Sequence, residues 1–508
     1  MAITFTSQYK SALMAGVPLL CVRTFDAKST IDRIKGLKTS TAYALIAWDT
    51  MKGAYHINPE GEKALANGCA KAGISLEATR VLEELLTVAQ YLPEDSIIFI
   101  HNAHLFWTNA PSVIQGIWNL RDRFKSLGNM LILLTGSGAI LPNEITSDTL
   151  MLDEPLPTAD ELAQCITDTF TYAKMGAPSA DIIDHATKAL IGLPLFPSEQ
   201  SLAMCIDRQA NSLDMDALWE RKRQAINQTR GLRVLDGKES IDDIGGLKQV
   251  KDYLCRVFEG VEPPNLILFL DEVEKGFAGS GTDTSGVSTK QLGTMLEWTE
   301  DRQIRGILGL GIPGVGKSAI AKSIGNRYGV PVIKFDIAGM ESGIVGSSNE
   351  YLRTAQAMID SISGGKVLMI ATCNSVASLP AELKRRFSAA TFFFDAPETQ
   401  SERNMIWDIY RAKYSLPVQA MPNDEGWTGA EIKNCAYTAH TLKISLKDAS
   451  TYIVPVTVSD KGRIEDLRRN SSGKYLSASK PGIYSWSESA QTASNLLDVP
   501  AGRRMRDE

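Results

Sequence analysis

The residues Gly311-Ile312-Pro313-Gly314-Val315-Gly316-Lys317-Ser318 spell G-x-x-x-x-G-K-S. Glycines at these places allow a tight loop whose backbone N–H groups turn inward onto phosphate oxygens, and the helix that follows adds its partial positive charge. The lysine reaches the β and γ phosphates, and the hydroxyl after it ligates Mg²⁺. Such a loop needs a strand before it and a helix after it. The sequence supplies both, an apolar run from Gly306 to Leu310 and a helical stretch from Ala319 to Arg327. ATP and Mg²⁺ are therefore the expected ligands, with contacts from Gly311, Pro313, Gly314, Val315, Gly316, Lys317, Ser318 and Ala319.

A second group of candidates ends the apolar run Asn265 to Leu270, which stops at Asp271-Glu272. Two carboxylates at a strand end are costly to bury unless a cation or a donor meets them. They make sense where Asp271 holds hydrated Mg²⁺ and Glu272 polarises the attacking water. A third run, Lys366 to Ala371, ends in Thr372-Cys373-Asn374, where Asn374 could orient that water; alone, it reads equally well as a turn residue.

Bringing these groups together requires strands that end on one edge. Short β-branched and aromatic runs alternate with helical stretches, which predicts α/β units on parallel sheets. In the first half the runs are Pro18 to Val22, Tyr43 to Trp48, Ser96 to Ile100 and Met130 to Thr135. The second half repeats part of this. Ile97 to Asn102 parallels Ile267 to Glu272, Met130 to Ser137 parallels Val367 to Asn374, Leu141-Pro142 parallels Leu379-Pro380, and Asp153-Glu154-Pro155 parallels Asp395-Ala396-Pro397. Ordered matches at similar spacing argue for a duplicated domain. The first copy carries His101-Asn102 in place of the two acids, and its opening strand leads into Lys28-Ser29-Thr30 with no glycines between. It is expected to be catalytically silent, leaving one ATP per chain.

The bulk numbers exclude more than they assign. The 508 residues hold 53 Lys+Arg against 59 Asp+Glu, net charge -6, with 44% hydrophobic residues, as in ordinary soluble proteins of two to four domains. A mildly acidic balance gives no support to a protein built to wrap duplex nucleic acid, although a local basic channel stays open. No apolar run reaches the roughly 18 residues of a membrane span, so no membrane partner is expected. Seven scattered cysteines without a C-x-x-C pair fit a reducing compartment, cytoplasm or plastid stroma.

Taken together, Gly311 to Ser318, Asp271-Glu272, Asn374, Leu379-Pro380-Ala381-Glu382-Leu383 with Arg385-Arg386-Phe387, and Trp427-Thr428-Gly429-Ala430-Glu431-Ile432 resemble the AAA class of ring-forming ATPases. Within it the chain is similar to the plastid- and cyanobacteria-type members. Those carry an inactive ATPase-like N-terminal half, a Gly-Gly-Leu segment (here Gly245-Gly246-Leu247) and a late Val-Pro-x-x-V segment (here Val454 to Val458). The resemblance implies an ATP hydrolase that remodels a protein or nucleoprotein client as a homo-oligomeric ring, a hexamer by family likeness. Catalysis would fall to Glu272 and Asn374, with Arg385 or Arg386 pointing outward at a neighbour's ATP, and Ser318 and Asp271 would hold the metal.

Two departures matter. In the family the phosphate loop comes first and the Asp-Glu strand later, whereas here Asp271-Glu272 precedes Lys317, and the other acid that ends a strand, Asp336, lacks an adjacent Glu. All strands of a parallel sheet end on one edge, so changing their order along the chain can preserve the site. We expect a permuted core, with the Asp-Glu strand and its helix, Ser288 to Trp298, moved ahead of the loop. Where polypeptide-pulling members carry a pore aromatic, this chain reads Ile344-Val345-Gly346, which favours a slow ATP-dependent assembly switch or scaffold as the alternative. A nucleic-acid motor or loader is the third reading. The expected fold is α/β, with two P-loop-NTPase-like parallel-sheet domains and a small helical lid. Its parts are a degenerate domain at 1–178, a helical cap and connector at 179–238, the AAA core at 239–400, the lid at 401–456 and an extended or mobile tail at 457–508.

Overall fold

Fully buried apolar runs such as Ser96–Ile100 and Leu266–Leu270 form where both faces of a strand are covered. In the computed structural model these runs are inner strands of two mostly parallel sheets. The structure describes residues 4–37, 43–136, 138–208, 212–235, 240–276, 287–336, 347–375, 379 and 381–487. Two compact units emerge, residues 1–230 with 342–362, and residues 231–341 with 363–508.

The first unit holds β1 (Leu19–Arg23), β2 (Ala44–Asp49), β3 (Gly53–His56), β4 (Ser96–Ile100), β5 (Met130–Thr135) and β6 (Leu150–Asp153) in the order β3-β2-β4-β5-β1-β6. Only β3 runs antiparallel. Four helices, Ala159–Tyr172, Ala180–Leu190, Leu195–Cys205 and Met215–Gln228, close around Leu162, Phe170, Leu190, Leu202 and Leu218, with a small ribbon of β7 (Ile206–Asp207) and β8 (Ser212–Leu213) beside them. This helical cluster starts at Ala159, well before residue 179. The helix Ser347–Ser363 groups largely with this unit, where Tyr351 meets the Arg230 guanidinium at 4.8 Å.

The second unit holds β9 (Leu232–Val234), β10 (Leu266–Leu270), β11 (Arg305–Gly311), β12 (Val332–Phe335), β13 (Val367–Cys373), β14 (Ala390–Phe394) and β15 (Leu476–Ser477) in the order β15-β14-β11-β13-β10-β12-β9. Here the antiparallel member is β9. Read from the antiparallel edge inward, the two sheets match place for place. Strands β2, β4, β5, β1 and β6 lie where β12, β10, β13, β11 and β14 lie in the second. The place held by β4, third of these five parallel strands along the first unit's chain, is held by β10, which precedes β11. The permuted core is thus visible inside one molecule, with the first unit as its unpermuted reference.

The pairing registers correct the sequence matches in detail. Ile97 pairs with Met130 and Ile267 with Leu368, so Met130 corresponds to Leu368 and not to Val367. Arg23 pairs with Thr135 and Asp153, and Leu310 with Cys373 and Phe393, so Asp153 takes the place of Phe393 and Asp395 has no acid counterpart there. Consecutive apolar residues leave the register of a buried strand unmarked in the sequence.

The lid helices Gln400–Lys413 and Gly429–Leu442 pack around Trp407, Trp427, Ile432 and Cys435. Asp424 is buried there against the Arg403 guanidinium (3.0 Å) and the Trp407 indole N–H (2.8 Å). The expectation of an extended tail is overturned as far as residue 487. Residues Lys461–Ser471 form a helix whose Ile464 joins the core, and β15 adds a strand to the sheet. Besides Ile464 the segment buries Ala478 and Tyr484, the latter against Phe393, while Val458 and Ile483 stay exposed. Leu496-Leu497 and the arginines at 503, 504 and 506 lie outside the described residues, as does the Ile344-Val345-Gly346 segment.

Candidate nucleotide site

Strand β11 ends at Gly311, and after five intervening residues the helix Lys317–Tyr328 begins. Three glycines make that connection. Gly311, Gly314 and Gly316 have φ of 151°, 83° and 89°, values that side chains resist. A Cβ on Gly311 would lie 2.0 Å from the Phe394 carbonyl oxygen. Gly316 caps the helix without any side-chain hydrogen bond, so the loop leaves the helix N-terminus open to an anion. The loop also touches the lid, because the Ala430 N–H donates to the Gly314 carbonyl at 3.0 Å.

Three strand ends converge on this loop. The Asp271 carboxylate, after β10, accepts from the Ser318 hydroxyl and the Thr372 hydroxyl at 2.9 Å each through Oδ1, and from Lys334 Nζ at 3.2 Å through Oδ2. Lys317 Nζ donates to the Gly311 and Ile312 carbonyls at 2.7 Å each and to Asn374 Oδ1 at 2.9 Å. The Asn374 amide nitrogen reaches Glu272 Oε1 at 3.4 Å, and the Asn374 backbone N–H donates to Glu274 Oε1 at 2.9 Å. Glu272 sits in a left-handed conformation, φ 48°, with its N–H held by the Thr372 hydroxyl at 2.9 Å and its Oε2 paired with Lys275 at 2.6 Å. The acid that meets Ser318 is therefore Asp271.

Electrostatics follow from this packing. Burial pulls the Lys317 ammonium down to about 8, against the opposing pull of Glu274, Glu272 and Asp271. For Asp271, burial pushes upward, but hydrogen bonds from Thr372, Ser318 and Lys334, with the Lys334 charge, outweigh it and hold the carboxyl below its usual value. A hydroxyl and an ionised carboxylate side by side are the hard oxygen donors Mg²⁺ takes when phosphates and waters complete its shell. The residues present thus suit MgATP. Ser318 and Asp271 would hold the metal, and Lys317, already desolvated, would exchange carbonyl partners for phosphate oxygens.

The cavity around the loop has a volume of about 1230 Å³. Its apolar wall includes Ile244, Leu247, Ile406 and Ile409 with Tyr410, a slot suited to a planar base. Sequence reasoning missed Thr372, Lys334 and Glu274. Thr372 was signalled by a hydroxyl closing an apolar strand beside Asn374, whereas Lys334 lies mid-run in β12 and carried no local signal.

Arg385 and Arg386 lie elsewhere. The Arg386 carbonyl accepts from Gly306 N–H at 2.9 Å, at the start of β11, while the phosphate loop follows its end. Arg386 is also paired with Glu300 at 2.7 Å, and Arg385 is exposed. The site of their own unit does not bring them in.

The first unit shows what replaces this chemistry. Only Thr24 to Asp26 separate β1 from the helix Ala27–Lys35, and the Asp26 carboxylate accepts from the Lys28 and Ser29 N–H groups, at 3.1 and 3.2 Å. Its helix N-terminus is filled by the chain's own anion. Asn102, with φ 51°, stands where Glu272 stands, and His101, hydrogen-bonded to the Tyr55 hydroxyl at 3.2 Å, where Asp271 stands.

Comparison with known proteins agrees with this division. Residues 307–363 match the model of the ATPase family associated with various cellular activities (AAA), and residues 5–154 match the SpoVK-like AAA ATPase N-terminal domain. The chain is thus similar to AAA ATPases in both of these regions. The first of these matches runs from the phosphate-loop strand to the end of the helix at Ser363 and leaves out the Asp271-Glu272 strand ahead of it. Relatives include proteins described as "Uncharacterized AAA domain-containing protein ycf46". The one from Guillardia theta is 23% identical over 92% of this chain and 94% of its own, and that from Pyropia yezoensis 23% over 92% and 97%. The Gracilaria tenuistipitata var. liui protein is 26% identical over 73% and 74%.

Proposed function

We propose that the second unit of this chain binds MgATP and hydrolyses it by attack of water on the γ-phosphate, and that the cycle remodels a protein or nucleoprotein partner within a homo-oligomeric ring, a hexamer by family likeness. The observation that carries this is the single hydrogen-bonded set formed by Ser318, Asp271, Thr372, Glu272, Asn374 and Lys317, drawn from three strand ends that are far apart in the chain. When bound, Mg²⁺ supplies charge to neutralise the β and γ phosphates. Lys317 compensates phosphate charge, Glu272 accepts a proton from the attacking water, and Asn374 fixes the direction of the Glu272 carboxylate. Arg385, exposed and remote from its own loop, is the residue free to complete a neighbour's site.

Among the described residues no helix is long and apolar enough to cross a membrane, and all seven cysteines are free thiols. The free thiols support a reducing compartment, cytoplasm or plastid stroma. Glu272→Gln tests the chemistry. It should bind ATP as the wild type does and lose at least about 100-fold in turnover, the lower range for a missing general base; turnover at the wild-type rate would refute the role.

The Lys275–Glu272 ion pair favours a second reading, because it engages the carboxylate that must act as base. On that reading ATP assembles a scaffold, and steady-state turnover stays near the ~10⁻³ s⁻¹ of an unassisted nucleotide switch.

A further inference from the structure

The second sheet has one strand more than the first on the phosphate-loop side. In the first unit β6 is the edge, whereas β14 is covered by β15, with Phe392 opposite Leu476 and Phe393 opposite Ser477. Just past β15, the Ala478 N–H donates to the Phe393 carbonyl (3.0 Å) and the Ala478 carbonyl accepts from Val250 N–H (3.1 Å). The C-terminal segment thereby joins β14 to the helix Lys248–Phe258, whose preceding Ile244 to Leu247 segment lines the nucleotide cavity. Ser479 lines the same cavity, and Lys480 pairs with Glu398.

Asp395 is the centre of this arrangement. It follows Phe394, whose carbonyl accepts from the Ile312 N–H of the phosphate loop at 3.1 Å, and it lines the cavity. A carboxylate there repels the phosphates the loop is built to hold, unless its charge is met. Arg468 meets it with Nε at 3.0 Å from both carboxylate oxygens and a terminal nitrogen at 2.6 Å, and the Tyr484 hydroxyl donates at 2.6 Å. The Arg468 and Asp395 side chains are 11% and 12% exposed, so solvent screens the pair little. Asp395 to Thr399 also links the sheet to the lid helix Gln400–Lys413.

We infer that the C-terminal segment, through Arg468 and Tyr484, is a built-in part of the nucleotide site: it neutralises Asp395 beside the phosphate loop and sets the approach of the lid, so that nucleotide affinity depends on a segment remote in sequence. Arg468 and Tyr484 are positioning residues, acting on nucleotide only through Asp395. The inference rests on the second unit binding ATP as proposed.

The test measures the affinity of the full chain for a non-hydrolysable ATP analogue with Mg²⁺, alongside thermal melting, with Lys317→Ala as the non-binding control. Arg468→Met should weaken binding at least about tenfold, because it leaves a carboxylate uncompensated next to the phosphates. Adding Asp395→Asn to that variant should restore most of the loss, since the amide carries no charge. Tyr484→Phe, which removes one hydroxyl, should weaken binding about two- to fivefold with little change in melting. A purely structural role predicts that affinity is unmoved once the protein is folded, or that the double variant stays as weak as Arg468→Met; either result overturns the inference. Should Arg468→Met fail to fold, Tyr484→Phe with wild-type affinity overturns it alone. A wild-type chain that does not bind the analogue instead sinks the ATPase reading, and this inference with it.

Discussion

The ends of β4 and β10 are the same backbone with different side chains. Both strands stop in a left-handed residue, Asn102 at φ 51° and Glu272 at φ 48°, and both continue into a short helical turn. Asparagine tolerates that conformation, while glutamate is held there at a cost. Likewise the helix after β1 is capped by Asp26, and the helix after β11 is left open behind three glycines. At these two places the first unit carries locally comfortable residues. The second carries a strained glutamate and an uncapped helix start, and both lie where the nucleotide is proposed to bind.

The largest expected effect concerns the connection before the last core strand. In the first unit the short helix Asn143–Thr146 is followed by Ser147-Asp148, and in the second Ala381–Lys384 is followed by Arg385-Arg386. If Arg385 reaches the neighbour's γ-phosphate, Arg385→Ala should cost on the order of 10³-fold or more in hydrolysis while ATP binding persists. Arg386→Ala should cost far less, since Arg386 is already paired with Glu300. Mixing Arg385→Ala with Lys317→Ala subunits should restore part of the activity. A mixture that stays inactive after verified subunit exchange breaks the shared-site model.

A smaller effect separates the two lysines at the helix starts, Lys317 buried and Lys28 exposed. Burial lowers Lys317 to about 8, below the roughly 10.4 of an unfolded lysine. The unfolded chain therefore holds this proton more firmly across that window. The contribution of Lys317 to stability is full above the unfolded value and is lost as pH falls through about 8. Phosphate binding reverses the preference, because it requires the cation. ATP affinity should be flat near pH 7 and fall by up to about tenfold per pH unit above pH 8, with proton uptake on binding. Calorimetry at pH 9 in two buffers of different ionisation heat checks this, and absence of uptake contradicts it.

The smallest effect is an exchange of the two strand-end residues. Glu272→Asn should stabilise the second unit by about 1 kcal/mol while removing turnover, and Asn102→Glu should destabilise the first by a similar amount. Hydrogen exchange at β10 and β4 would show opposite shifts; shifts of the same sign would remove strain from the account.

The phosphate loop and the acid pair were legible in the sequence because each is a short contiguous pattern whose chemistry is local. Even the permutation was legible, since the order of Asp271 and Lys317 along the chain is plain. The network was not. Thr372 and Lys334 join it through strand pairing, and Arg468 and Tyr484 join it from a segment whose sparse apolar residues read as an unstructured tail. Such partners depend on which strands become neighbours, which a linear pattern does not record.

The central claim is that each chain holds one nucleotide site and that it lies in the permuted unit. Calorimetric titration of a non-hydrolysable ATP analogue with Mg²⁺ into wild type, Lys28→Ala and Lys317→Ala tests it most directly. The account predicts one analogue per chain in the first two and none in the third. Two per chain in the wild type, or binding that survives Lys317→Ala, would contradict it.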